Sequence, residues 1–347
     1  MLRSLPRALR IPSGAKRAAT AIGASFVATA LLILIAGKNP IAAFSAMFYG
    51  AFGSMDRIAF ACNKSTPYIL CGTGIALCFR ARIINIGGEG QIALGGLGAA
   101  WVAFVWPQHS AFMAVGTALL AGMAAGALWS GLAAAIHLWR NVHEVLATLL
   151  LNFIALLLVG EALHGALGEP GAGFPQSSML DNAYWLPVLA TGSQLHLGIV
   201  IAVVVAVAAH IYLWNTTGGF ALRVLGASRS AAIYAGFSVS ALTMKLMLVA
   251  GAMAGLAGAV EVLGVHYRLI EGFSQGFGFN AVVVALLGAL NPLSVIPAGL
   301  FFGFLEAGAL AMQRQVGVPS SLVSVIQGLT MLFVLAALAS TAQRKAA

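Results

Sequence analysis

The stretch Asn85-Ile86-Gly87-Gly88-Glu89-Gly90-Gln91 sets one carboxylate and two side-chain amides among three glycines, at the start of an apolar run. An ionisable group at membrane depth is costly and is kept for a solute pathway, a relay or a buried partner. Glycine at that density weakens a helix. The backbone is therefore expected to break there, which membrane depth tolerates only beside protein or a cavity. A second interrupted stretch, Gly272-Phe273-Ser274-Gln275-Gly276-Phe277-Gly278-Phe279-Asn280, opens another short apolar run. Paired Gly-interrupted segments of this kind point to a translocation pathway. Asn85, Glu89, Gln91 and Asn280 are the candidate pathway residues, and their chemistry is polar recognition of a small solute, with no bond made or broken. The Glu89 carboxylate suits a second role equally well: capping backbone N–H groups that a broken helix leaves free.

Other polar residues in apolar surroundings are Glu161, Glu261 and Glu306, with Asn152 and Gln327 as uncharged companions. The three glutamates fall toward the ends of apolar runs, where water or hydrogen bonds are expected to meet them. The chain has no G-x-x-x-x-G-K-[ST] phosphate loop. Lys16, Lys38, Lys64, Lys245 and Lys345 all lie outside such a context. H-E-x-x-H and G-x-S-x-G are absent as well. The three cysteines, Cys62, Cys71 and Cys78, cannot all pair and share one apolar neighbourhood, so buried thiols are expected. No catalytic residue, metal ligand set or cofactor site is assigned to this chain.

The elements that must position these residues are membrane helices. Of 347 residues, 61% are hydrophobic and 8% charged, against about 25% charged in an ordinary soluble domain. That is too little charge to solvate a globular surface of this size. Apolar runs give about ten spans, near 18–37, 66–84, 86–106, 111–136, 145–164, 195–213, 242–264, 277–290, 294–312 and 321–340. The fold class is an all-α polytopic helix bundle. The segment 40–60, with Asp56 and Arg57, reads as an outer-face loop or interfacial helix. Residues 1–17 form a basic tail, 18–340 the membrane domain and 341–347 a short C-terminal tail.

An even number of spans puts both termini on one side, and basic residues choose the cytoplasm. With that orientation thirteen of the eighteen Lys and Arg are inside, leaving Lys38, Arg57, Lys64, Arg268 and Arg314 outside. Split five and five, the halves have opposite orientation, an inverted repeat in which spans three and eight correspond. Gly122 with Gly126, and Gly251 with Gly255, are spaced for close helix packing.

The largest outer loop is 165–193, rich in Gly and Pro. The largest inner loop is 214–241. There Ser228 is placed to cap a short helix from Arg229 through Tyr234 to Ala235, ended by Gly236. An interfacial helix and a docking surface for a cytoplasmic partner both fit this loop.

Four ordered blocks resemble the ABC importer permeases of the branched-chain amino acid, ribose and nucleoside group, nearest to the nucleoside and simple-sugar branch. They are Asn85 to Gln91; Ala221-Leu222-Arg223-Val224-Leu225-Gly226 with Ala231 to Gly236; Gly276 to Asn280 with Asn291-Pro292-Leu293; and Gly317-Val318-Pro319 with Val325-Ile326-Gln327-Gly328. Where that family often carries an Asn-Pro-Glu-like run after its loop glycine, this chain has Ser228-Arg229-Ser230. The resemblance implies a permease subunit in a bacterial inner membrane, working by alternating access on a nucleoside or simple sugar. It implies a second homologous permease, a cytoplasmic ATPase that binds ATP and Mg, and an extracytoplasmic binding protein as partners. It makes 214–241 the loop that couples to the ATPase, through Arg223, Gly226, Ser228, Arg229, Tyr234 and Gly236. The competing reading is a stand-alone secondary transporter of a small polar solute, with Glu89 as its relay group.

Overall fold

A computed structural model describes residues 13–319 except 109, 190, 191 and 275, together with 322, 325, 328, 329 and 332. The tenth expected span, most of the N-terminal tail and the C-terminal tail lie outside the described residues.

Among the described residues the chain is helical and forms no named strand, only isolated bridges in loops. The helices are α1 (Ser13–Ile35), α2 (Pro40–Phe52), α3 (Met55–Arg80), α4 (Gly88–Val105), α5 (Ala111–Arg140), α6 (Glu144–His164), α7 (Gly198–Asn215), α8 (Thr217–Ala227), α9 (Arg229–Tyr234), α10 (Val239–Glu261), α11 (Phe277–Leu287) and α12 (Pro292–Val316). Five segments are long and apolar enough to cross a bilayer: Ala111–Arg140, Glu144–His164, Gly198–Asn215, Val239–His266 and Pro292–Val316. The last of these but one continues α10 through a π turn, Val262–His266.

Two compact units divide the chain. One comprises 1–57 and 305–347, the other 58–304. In the first, α2 starts where Asn39 accepts from the amides of Ile41 and Ala42. Ile33, Ala43, Ala309, Met312 and Val318 form its apolar centre. The segment 40–60 is thus helical almost throughout, and Asp56 and Arg57 sit in the first turn of α3. The Arg57 guanidinium lies over the Tyr49 ring at 4.2 Å.

The second unit is built on α4, α5 and α10, which pack through glycine. A Cβ on Gly255 would overlap the Gly122 carbonyl, and one on Gly126 the Gly251 carbonyl. The two spaced pairs seen in the sequence therefore face each other across α5 and α10. Gly258 packs against the Ile92 carbonyl of α4 in the same way. Such contact lets backbones approach where side chains would hold them apart, which is how membrane helices gain dispersion energy in a solvent as apolar as they are.

One expectation is corrected. The second span was placed at 66–84, but its helix begins at Met55. Asn63, Lys64, Ser65, Thr66 and Thr73 are all buried in it. Ser65 and Thr73 donate back to the carbonyls four residues earlier, at 2.8 and 2.6 Å. A helix enclosed by protein needs no apolar outer face, so hydropathy under-reads it. Lys64, on the same helix, is only 4% exposed. Glu261, at the end of α10, and Glu306, in the middle of α12, are buried, while Glu161 is exposed.

Candidate functional site

The site begins where α3 stops. Residues 81–87 are not helical, and the polar side chains of the glycine motif serve that exposed backbone. Asn85 Oδ1 accepts from the Gly87 amide at 2.9 Å and from Gln91 Nε2 at 3.1 Å. Asn85 Nδ2 donates in return to Gln91 Oε1 at 3.4 Å. Asn152, reaching across from α6, donates to the Ile86 carbonyl and accepts from the Gly90 amide, both at 2.8 Å. The Ile86 amide finds Thr148 Oγ1 at 3.3 Å. The bonds to Ile86, Gly87 and Gly90 satisfy backbone that a continuous helix would have satisfied itself, and the Asn85–Gln91 pair holds the two side chains together.

Glu89, in the first turn of α4 and 3% exposed, faces the second interrupted stretch. Its Oε1 accepts from Ser274 Oγ at 2.6 Å and from the Gly276 amide at 3.0 Å. Its Oε2 accepts from the Gly278 amide at 2.8 Å. The intervening Phe277 amide bonds to the Ser274 carbonyl at 2.8 Å. Glu89 thus caps α11 from another helix, and the first three amides at that helix start are all used. Gly276 is left-handed at φ 81°, a turn that glycine makes without strain. A Cβ on Gly278 would overlap the Glu89 amide, so only glycine lets the two helix starts touch. Two helix N-termini brought together concentrate partial positive charge, and one carboxylate between them offsets it.

The structure therefore brings Glu89 onto the Gly276–Asn280 segment, joining the two stretches the sequence singled out. Asn280 turns instead to the Tyr68 hydroxyl, at 3.5 Å. Around the joint lie groups that were not among the candidate pathway residues. Phe277 packs edge-on to Tyr68 at 5.2 Å, and Lys64 Nζ is 5.1 Å from the Phe277 ring centroid. His266 Nε2 is 3.7 Å from Glu261 Oε2. Ser274 could have been picked from the interrupted stretch. Lys64 and Asn152 needed the packing.

At the other candidate region, α8 and α9 divide at Ser228. Its hydroxyl accepts from the Ala231 amide at 3.2 Å, and Gly236 at φ 80° ends the short helix. Gly226 packs on the Arg80 carbonyl so closely that a Cβ would overlap it. Trp214 lies between two guanidiniums, Arg80 at 5.0 Å and Arg223 at 4.8 Å from its ring centroid. Arg223 is thus turned onto the membrane helices. The side chains left outward are Tyr234, 92% exposed, with Ile233, Phe220 and Arg229.

Among the described residues no group of His, Cys, Asp and Glu could hold a metal ion. Cys62, Cys71 and Cys78 are free thiols, the last two buried.

Comparison with known proteins places this architecture. Residues 57–335 match the family described as branched-chain amino acid transport system / permease component. The chain is 36% identical over 317 residues to the guanosine ABC transporter permease protein NupP of Bacillus subtilis, covering 90% of this chain and 91% of that one. It is 34% identical over 307 residues to the glucose ABC transporter permease protein TsgB13 of Haloferax volcanii, covering 86% and 80%. A second Bacillus subtilis protein, the guanosine ABC transporter permease protein NupQ, is 26% identical over 253 residues, covering 70% and 78%. This multi-pass membrane protein belongs to the family of permease components of the branched-chain amino acid transport systems.

Proposed function

We propose that this chain is one of two pathway-forming subunits of an ATP-driven importer for nucleosides or simple sugars. The observation that carries the reading is the Glu89 joint. Two helices, α4 and α11, start against each other, held by one carboxylate. With ten spans and cytoplasmic termini, α4 enters from the cytoplasm and α11 from outside, so their starts can touch only within the membrane. That is the arrangement of a discontinuous-helix pathway. Asn85, Glu89, Gln91 and Asn280 line or support it. The secondary-transporter reading loses its relay, because three donors engage Glu89 and none of them is itself ionisable.

The partners in this reading are a second permease of the same family, a cytoplasmic ATPase that holds ATP and Mg, and an extracytoplasmic binding protein. The similarity to both NupP and NupQ supports pairing with a distinct, homologous permease. The chain itself carries no nucleotide site and sits in a bacterial inner membrane. Nucleosides are the favoured cargo because of the similarity to the guanosine permease NupP. Uptake of labelled guanosine, other nucleosides and glucose by cells with and without this protein tests the proposal. Uptake of one of them that vanishes on deleting either this chain or its ATPase is the expected result; uptake that survives loss of the ATPase overturns it.

The 214–241 segment couples the two machines, with different residues in different roles. Arg229→Glu and Tyr234→Ala are expected to reduce ATPase co-purification, since both residues face outward. Trp214→Ala is expected to leave the ATPase bound while uptake falls several-fold, because it loosens α8 from α3 and α7. Unchanged co-purification of the Arg229→Glu variant would remove that segment from the interface.

A further inference from the structure

A cavity of about 360 Å³ lies in the second unit between α3, the residues Val188, Ser193 and Gln194, and the turn that ends α10. Its walls use Phe60, Asn63, Ser193, Gln194, Gly264 and Tyr267. Nothing in the joint or the coupling segment accounts for it.

Three independent features mark it as built. First, its walls are irregular where a plain helix would have been less costly. α10 passes into the π turn Val262–His266, and Tyr267 follows at φ 56°. π turns gather at functional sites, and an aromatic residue in the left-handed region is strained. The surroundings hold that strain in place: the Leu180 amide bonds the Tyr267 carbonyl at 2.9 Å, and Trp185 stacks on the Tyr267 ring at 4.3 Å. The outcome is a bare Gly264 backbone and an aromatic ring at one wall.

Second, the wall at Gln194 is fixed without any ligand. Asn63 Nδ2 donates to the Gln194 carbonyl at 2.6 Å, and Asn63 Oδ1 accepts from the His196 amide at 3.3 Å. A cavity already shaped loses little entropy on filling.

Third, the chemistry of the lining is mixed in the way small-molecule sites are. Two aromatic residues, Phe60 and Tyr267, stand with the hydroxyl of Ser193 and the amide of Gln194. The volume sits at the small end of the range for ligand pockets, about 300–1,000 Å³. Aromatic faces stack on any flat base, whatever its sequence of substituents, while hydroxyl and amide groups suit a polyol. Lys64 also lines the cavity, and its ammonium lies beside Phe277, the first residue of the helix that Glu89 caps. The cavity therefore adjoins the joint through one side chain.

From these features, and resting on the nucleoside reading above, we infer that this cavity is a permease-borne subsite for a neutral nucleoside, taking its base against Phe60 or Tyr267 and its sugar hydroxyls on Ser193 and Gln194. It receives the solute before the Glu89 joint opens.

The test uses the complete transporter in proteoliposomes, with its binding protein loaded with labelled guanosine. Gln194→Ala is expected to lower the uptake rate about fivefold, the loss that one missing neutral hydrogen bond brings. Val188→Trp, which fills the cavity from its exposed side, is expected to lower it at least as far. Phe174→Ala, an exposed residue outside the cavity, keeps the wild-type rate. Wild-type import of guanosine with both cavity variants equal to wild type overturns the subsite and leaves the importer reading standing. A wild-type complex that imports none of the nucleosides offered overturns the substrate reading, and the subsite with it.

Discussion

Glu89→Ala is expected to abolish most uptake, at least about tenfold, and to lower the thermal stability of the purified complex. The change leaves the amides of Gly276 and Gly278 and the Ser274 hydroxyl without their acceptor. A buried donor left unpaired costs about 1–3 kcal/mol, and bonds to a charged group lie at the upper end. The cost here is therefore on the order of 3 kcal/mol, or about two decades in an equilibrium constant. Glu89→Gln separates the two roles the sequence allowed. A pathway that only needs polarity at this point would accept glutamine. A cap needs acceptors on both oxygens, and the glutamine Nε2 would face a donor instead. The Gln variant keeps an acceptor for Ser274 and Gly276 but not for Gly278, so it is expected to fall between wild type and the Ala variant in uptake and in melting temperature. Wild-type behaviour of Glu89→Gln would remove the cap and restore a purely polar pathway role.

Gly255→Leu is expected to prevent assembly of the second unit. A first side-chain carbon at this position already overlaps the Gly122 carbonyl and comes within 2.9 Å of the Gly126 Cα. Backbone cannot yield as a flexible side chain can, so α5 and α10 must separate along their length. Overpacking of a dense core costs about 1–3 kcal/mol even where side chains can move, and loss of the shared glycine seam adds to it. The measurement is the yield of monodisperse protein after detergent extraction. Gly116→Leu is the control: it lies on α5 as well, with open space around it, and is expected to extract normally. Equal yields from the two variants would show that the seam does not hold the helices.

The joint and the seam differ in how they could be read. Gly122, Gly126, Gly251 and Gly255 were visible from spacing alone, because a four-residue interval on a helix repeats one face. Which helices those faces meet is a property of packing. Ser228 and Gly236 were legible for the same local reason: a cap and a left-handed stop act within a few residues of themselves. Arg223 was not. The family resemblance implied a coupling role for it, and only the packing set its guanidinium, with that of Arg80, on the Trp214 ring.

The sequence by itself determined that the chain is a bundle of membrane helices. It also marked where two of those helices break, and that a carboxylate belongs to one of the breaks. These follow from composition and short-range backbone chemistry, which act along the chain. Only the tertiary structure decided that the carboxylate closes the other break, 185 residues or more away. It alone buried Lys64, Glu261 and Glu306, and it alone joined Asn152 to the glycine motif. The physical reason is that a buried polar group must find its partner in whatever the fold brings beside it, and hydropathy along a single helix carries no record of that neighbour.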